Sequence, residues 1–193
     1  MACDTKTRIL EAAEPIMIAK GFHALGISEV LEAAKVPKGS FYHHFESKEA
    51  FGVALIEHYA GAYNRFMFDF FAKGDLKPSD RILAWFGMGM SRAADCAYGP
   101  LCLICKLSAE VSTFSEPMRR ALAVETAAGR SVLVAAIVEG QKAGNIGNAF
   151  KPEALADLML SAWTGALQQM QVQKNLAPLQ QSLDTFRKLL APA

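Results

Sequence analysis

Five of the eight prolines, at positions 78, 100, 117, 152 and 178, stand just ahead of long segments whose apolar residues recur at helical spacing. Proline fixes φ and has no backbone N–H, so it is accepted in the first turn of a helix, where that N–H would have no partner. The chain is thereby punctuated into helices. No apolar/polar alternation bounded by hairpin turns appears, and no internal repeat. The expected fold is all-α, with helices at 4–20, 27–34, 38–44, 47–73, 78–97, 101–113, 117–143, 152–174 and 178–190. The first three are short and closely spaced, while the later ones are long. That contrast predicts a three-helix head, residues 1–46, and a helical body, residues 47–193, joined by the helix at 47–73.

The bulk composition excludes several classes. Hydrophobic residues make up 52% of 193 and charged residues 20%, which suits a packed core and argues against a disordered interaction chain. No uninterrupted apolar run approaches the roughly 18 residues that would span a bilayer. The longest is Val132 to Val138, and the opening MACDTKTR has no apolar stretch of leader type, so a cytoplasmic chain is expected. Cys3, Cys96, Cys102 and Cys105 are then expected as reduced thiols. The formal net charge is +1, and within residues 1–50 six Lys/Arg face seven Asp/Glu. Bulk charge thus gives no hint of nucleic acid; any anion site must come from local geometry.

The head supplies such geometry. Asp4 is placed to cap the first helix, whose apolar face is Ile9, Ala12, Ala13, Ile16 and Met17. Pro15 interrupts it and should kink it. Gly21 ends it, and Ser28 is placed to cap the second helix, with Ile27, Val30, Leu31 and Ala34 on one face. The third helix, GSFYHHF, spaces Phe41 and Phe45 one turn apart for burial and leaves Lys38, Ser40, Tyr42, His43 and His44 on other sides. Such a helix is poor packing material and well suited to a DNA groove. Ser47 caps the helix that follows, and Lys48 adds a charge where free N–H groups already favour an anion such as a phosphate.

The segment RILEAAEPIMIAKGFHALGISEVLEAAKVPKGSFYHHFESKEAF resembles the DNA-binding domain of TetR-family regulators. The resemblance rests on the Ala-Ala pair in the first helix, Gly21-Phe22, Ser28, and Lys38-Gly39-x-x-Tyr42-x-His44-Phe45 followed by Ser47-Lys48. It implies that Ser28, Lys38, Ser40, Tyr42, His43 and Lys48 face double-stranded DNA at a palindromic operator, with Tyr42 and Lys48 on phosphates. Pro37 departs from the pattern, where relatives often carry a capping Ser.

In the body, residues 99–111, GPLCLICKLSAEV, resemble a stretch in the NemR-type and AcuR-type subgroup, which responds to electrophiles through a cysteine at the start of this helix. Here Pro100 and Leu101 intervene before that cysteine. With Pro100 at the first helical position, Cys102 is expected in the first turn, where the helix dipole favours a thiolate. Lys106 is expected as its positive neighbour and Cys105 as a resolving thiol, although a cysteine in a run as apolar as LCLIC is also an ordinary small core residue. The Met- and aromatic-rich helices, with Trp85, Tyr98 and Trp163, offer an apolar pocket as the alternative sensor, or simply a core. The resemblance also implies a homodimer. Its seam is expected on 117–143 and 152–174, with Leu122, Leu133, Val134, Ile137, Val138, Leu155, Leu158, Met159, Ala162, Ala166, Leu167 and Met170 on the apolar stripe.

Two other classes compete. A catalytic cysteine would need a base, and the four His all lie at or before position 58, so no enzyme and no catalytic residue are expected. Cys102-x-x-Cys105 alone is a poor zinc motif, and neither metal nor cofactor is expected. A helical protein–protein module without DNA binding would not need Tyr42 and Lys48. The reading is a repressor released by a small molecule or a thiol-reactive electrophile.

Overall fold

A computed structural model describes residues 4–99 and 102–192. Every described element is helical: α1 (Thr5–Lys20), α2 (Ile27–Ala34), α3 (Gly39–His44), α4 (Lys48–Ala72), α5 (Pro78–Asp95), α6 (Leu103–Val111), α7 (Glu116–Lys142), α8 (Pro152–Gln173) and α9 (Ala177–Leu190). Pro78, Pro152 and Pro178 occupy the first turns of α5, α8 and α9, as their chemistry requires. Cys3 and Pro100 lie outside the described residues.

Residue contacts divide the chain into two compact units. One holds the chain up to Asn64 together with Cys102–Thr126; the other begins at Arg65 and resumes at Ala127. The first unit is thus larger than a head of residues 1–46: it takes in the start of α4, all of α6 and the start of α7. Its core joins Ile9, Ala13 and Met17 of α1 to Val30, Phe41, Phe51 and Leu55, and to Leu103, Leu107 and Val111 of α6. Phe41 and Phe45 are buried as the spacing requires, with rings 5.0 to 5.3 Å from each other and from Phe51. Each such side chain contributes about 1.5–3 kcal/mol by leaving water.

Several local expectations change. Asp4 stands at the N-cap of α1 without a side-chain cap bond. Pro15 does not interrupt α1, which is helical from Thr5 to Lys20. The ring lies on the exposed face, where helices already lengthen their hydrogen bonds toward solvent. Ser28 is not the cap of α2: Gly26, with extended backbone, holds that place, and Ser28 falls within the first turn. Ser47 does cap α4, its hydroxyl accepting from the Ala50 N–H at 2.9 Å.

The second unit is built on aromatic rings. Trp85 is ringed by Phe66, Phe70 and Phe71 at centroid distances of 5.5 to 5.8 Å. Phe86 stacks between Trp163 at 5.0 Å and Phe186 at 4.9 Å. The expected seam residues Leu133, Ile137, Leu155, Met159, Ala166, Leu167 and Met170 are buried within this chain, as is Leu122 in the first unit. They are intrachain core, because an apolar stripe looks the same whichever chain covers it. Val134 and Val138 are half-buried, while Leu158 and Ala162 are exposed. One further expectation needs correcting. Helix α7 contains an 18-residue window of mean hydropathy 1.7 and is, by length and composition, long enough to cross a membrane. Counting only uninterrupted apolar residues missed it.

Candidate nucleic-acid interface and sensor helix

Helix α3 presents its polar side outward. Tyr42 is 71% exposed, and Lys38 and His43 are also exposed. Ser40 is half-buried and Ser28 on α2 is exposed. The two are held by the same core: Val30 and Leu31 of α2 and Phe41 of α3 fix both helices on α1. Arg8 reinforces this by donating to the Ala34 carbonyl at 2.7 Å, at the C-terminal end of α2, where unpaired carbonyls favour a cation.

Lys48 opens α4 and is half-buried. Its ammonium donates to the carbonyl of His23 at 3.2 Å and lies 5.1 Å from the centroid of the Phe22 ring. The residue expected to meet phosphate is therefore seated on the connection between α1 and α2.

That connection is gripped by α6. Lys106 Nζ donates to the carbonyls of Ile18 at 2.7 Å and Ala19 at 3.0 Å, capping the end of α1. Glu110, one turn on, accepts from the backbone N–H of Phe22 at 2.9 Å and of His23 at 2.8 Å, and its carboxylate is 3.0 Å from His23 Nδ1. Partial burial works to raise the Glu110 pKa, but the N–H groups of His23 and Phe22, with the His23 ring, outweigh it and hold the carboxyl below its ordinary value. Gly21 makes the approach possible. Its φ is +84°, and a Cβ there would sit 2.5 Å from Glu110 Oε2. Phe114 closes the cluster, with its ring 4.4 Å from His23 and 6.1 Å from Phe22.

Cys102 is the N-cap of α6, with extended backbone, and not a first-turn residue, since the helix begins at Leu103. Cys102 and Cys105 are both half-buried. The Lys106 ammonium is directed at α1, donating to the carbonyls of Ile18 and Ala19. Trp85 and Trp163 are packed in the aromatic core of the second unit, and Tyr98 is half-buried in a left-handed turn with φ +60°. A groove of about 360 Å³ in that unit is lined by Phe68, Phe71, Val132, Ala135 and Glu139 among others, and by none of those three expected residues.

Sequence reasoning gave neither His23 nor Glu110 a part in the site. The one available signal was a glycine closing α1 beside Phe22-His23, which marks a tight connection and does not name what packs on it.

The model for bacterial regulatory proteins of the tetR family matches residues 9–55, and that for the tetracyclin repressor-like C-terminal domain matches residues 78–186. The chain belongs to the TetR family. It is 34% identical to the HTH-type transcriptional repressor NemR of Escherichia coli K12 over 190 residues, covering 97% of this chain and 94% of that protein. It is 29% identical to the repressor DhaR of Mycobacterium sp. strain GP1 over 97% of this chain and 93% of the other, and 32% identical to the regulator AcuR of Cereibacter sphaeroides over 92% and 81%. The crystal structure of reduced E. coli NemR superposes with a TM-score of 0.93 at 34% identity, covering 98% of each chain. A TetR regulatory protein from Rhodobacter sphaeroides gives 0.88 at 29% identity over 96% and 98%. This TetR-family chain is a DNA-binding regulator with a helix-turn-helix head, and the enzyme reading falls away.

Proposed function

We propose that the protein is a homodimeric repressor of the cytoplasm that holds a palindromic operator through Ser28, Lys38, Ser40, Tyr42, His43 and Lys48, and releases it when an electrophile modifies Cys102. Exposure of the polar side of α3 supports the DNA contacts, as does the cap of α4 beside Lys48. The observation that carries the release is the double role of α6: Cys102 stands at its start, while its Lys106 and Glu110 grip the connection on which Lys48 is seated.

A cysteine at the N-cap stands at the positive end of the helix dipole, a place that favours a thiolate. With an activated alkene, the thiolate sulfur forms a bond to the β-carbon and the α-carbon takes up a proton. With a peroxide, a sulfenic acid at Cys102 condenses with the Cys105 thiol and expels water. Either change adds bulk or a bond at the half-buried start of α6 and, in this reading, moves it. For this homodimer we put the seam on α8 and α9, a reading supported by an open groove of about 350 Å³ lined by Ala162, Gly165, Gln169, Gln181, Ser182 and Thr185 and by the exposed Leu158 on α8.

Operator affinity of wild type, Cys102→Ser and Cys105→Ser, with and without N-ethylmaleimide, tests the release. The expectation is at least a tenfold loss for the treated wild type and none for Cys102→Ser. Equal release of Cys102→Ser would overturn the role of that thiol and favour a non-covalent ligand in the region of Trp85, Tyr98 and Trp163.

A further inference from the structure

We infer that Glu110 and His23 act as positioning residues for the DNA contact of Lys48: the α6 carboxylate fixes the Phe22–His23 backbone, and the His23 carbonyl in turn fixes the ammonium. The inference rests on the phosphate role given to Lys48 above and adds the path by which α6 reaches it.

The chain of contacts is short and directional. Glu110 takes both consecutive N–H groups of the turn, at 2.9 and 2.8 Å, so the peptide planes of Phe22 and His23 cannot rotate independently of α6. The carbonyl of His23 is the group that receives the Lys48 ammonium, and the Phe22 ring lies under the same ammonium. Losing the carboxylate releases the turn and both of these supports together. Lys48 is a long side chain with much rotamer freedom, and a phosphate contact from it is strong only if that freedom is already restricted.

The His23 ring adds a third hold on the same carboxylate, its Nδ1 standing 3.0 Å from it, while Lys106, a turn from Glu110, is bound to the end of α1.

The test is a cycle on the full-length protein with operator DNA, reading Kd against salt. Lys48→Ala should lower the salt slope by about one unit. Glu110→Ala should weaken operator binding about tenfold and lower the same slope. Adding it to Lys48→Ala should cost little more, because both act on one contact. Glu110→Gln, which keeps one acceptor oxygen, should restore most of the affinity and keeps the test open if the alanine variant folds poorly. His23→Ala, which removes the ring contact and keeps both backbone N–H groups, should weaken operator binding less than Glu110→Ala does, and an equal loss would overturn the primacy of the carboxylate. Full additivity of the Lys48 and Glu110 variants, or an unchanged slope in Glu110→Ala, would overturn the inference while leaving the phosphate role of Lys48 intact. An unchanged slope in Lys48→Ala itself would remove both.

Discussion

Both compact units have apolar cores with packed rings, but different contacts stand out in each. In the first, polar side chains reach across long stretches of sequence to main-chain groups: Arg8 to α2, Lys106 and Glu110 to the end of α1 and the turn beyond it, and Lys48 to the same turn. In the second, aromatic rings interlock around Trp85 and Phe86. A ring cluster tolerates small displacements with gradual loss of contact, since dispersion and burial are not directional. A hydrogen bond to a fixed peptide group is made or broken over a fraction of an ångström. The polar joint of the first unit is thus suited to switching and the ring cluster of the second to stability.

The sharpest way to break this contrast is to remove a ring. Phe186→Ala should destabilise the protein by about 3–5 kcal/mol in urea unfolding, because its fully enclosed site leaves a cavity. The salt slope of operator binding by the folded fraction should stay unchanged. A changed slope would mean that the aromatic core also sets the DNA contact. Gly21→Ala comes next. Its backbone conformation is one that L residues avoid, and its Cβ would collide with Glu110, so a loss of more than about 1 kcal/mol is expected. Operator affinity should fall with it, and retention of full affinity would show that the Glu110 contact is dispensable.

The smallest expected effect is on pH. The Glu110 carboxyl is held below its ordinary value by hydrogen bonds that exist only when folded. A depressed folded pKa contributes stability above the unfolded value, lost as pH falls through the folded one. The stability difference between wild type and Glu110→Gln should therefore be present at pH 7 and shrink below about pH 4. A difference constant down to pH 3 would mean that the carboxylate charge plays no part.

Among the described residues nine helices were legible in the sequence because proline, glycine and apolar spacing act locally, and no bound differs by more than two residues. The larger shifts were at α6, whose start depends on a cap and not on periodicity, and at the end of α5. The buried pair Phe41 and Phe45 was legible for the same local reason. The grip on the turn was not, since Glu110 and His23 stand 87 residues apart. Helical spacing says which face a residue occupies and not what that face meets. The stripe of Leu133, Ile137 and Met159 illustrates the limit, being core where a seam was expected.

The partners of Lys106 and Glu110 carry a last consequence. Four of their contacts end on peptide carbonyls and N–H groups of residues 18, 19, 22 and 23, which every non-proline residue possesses. The side chains at 18 and 19 can therefore drift without loosening the joint, while a lysine, a glutamate and the glycine at 21 must persist together. Over evolutionary time such a joint is cheap to inherit.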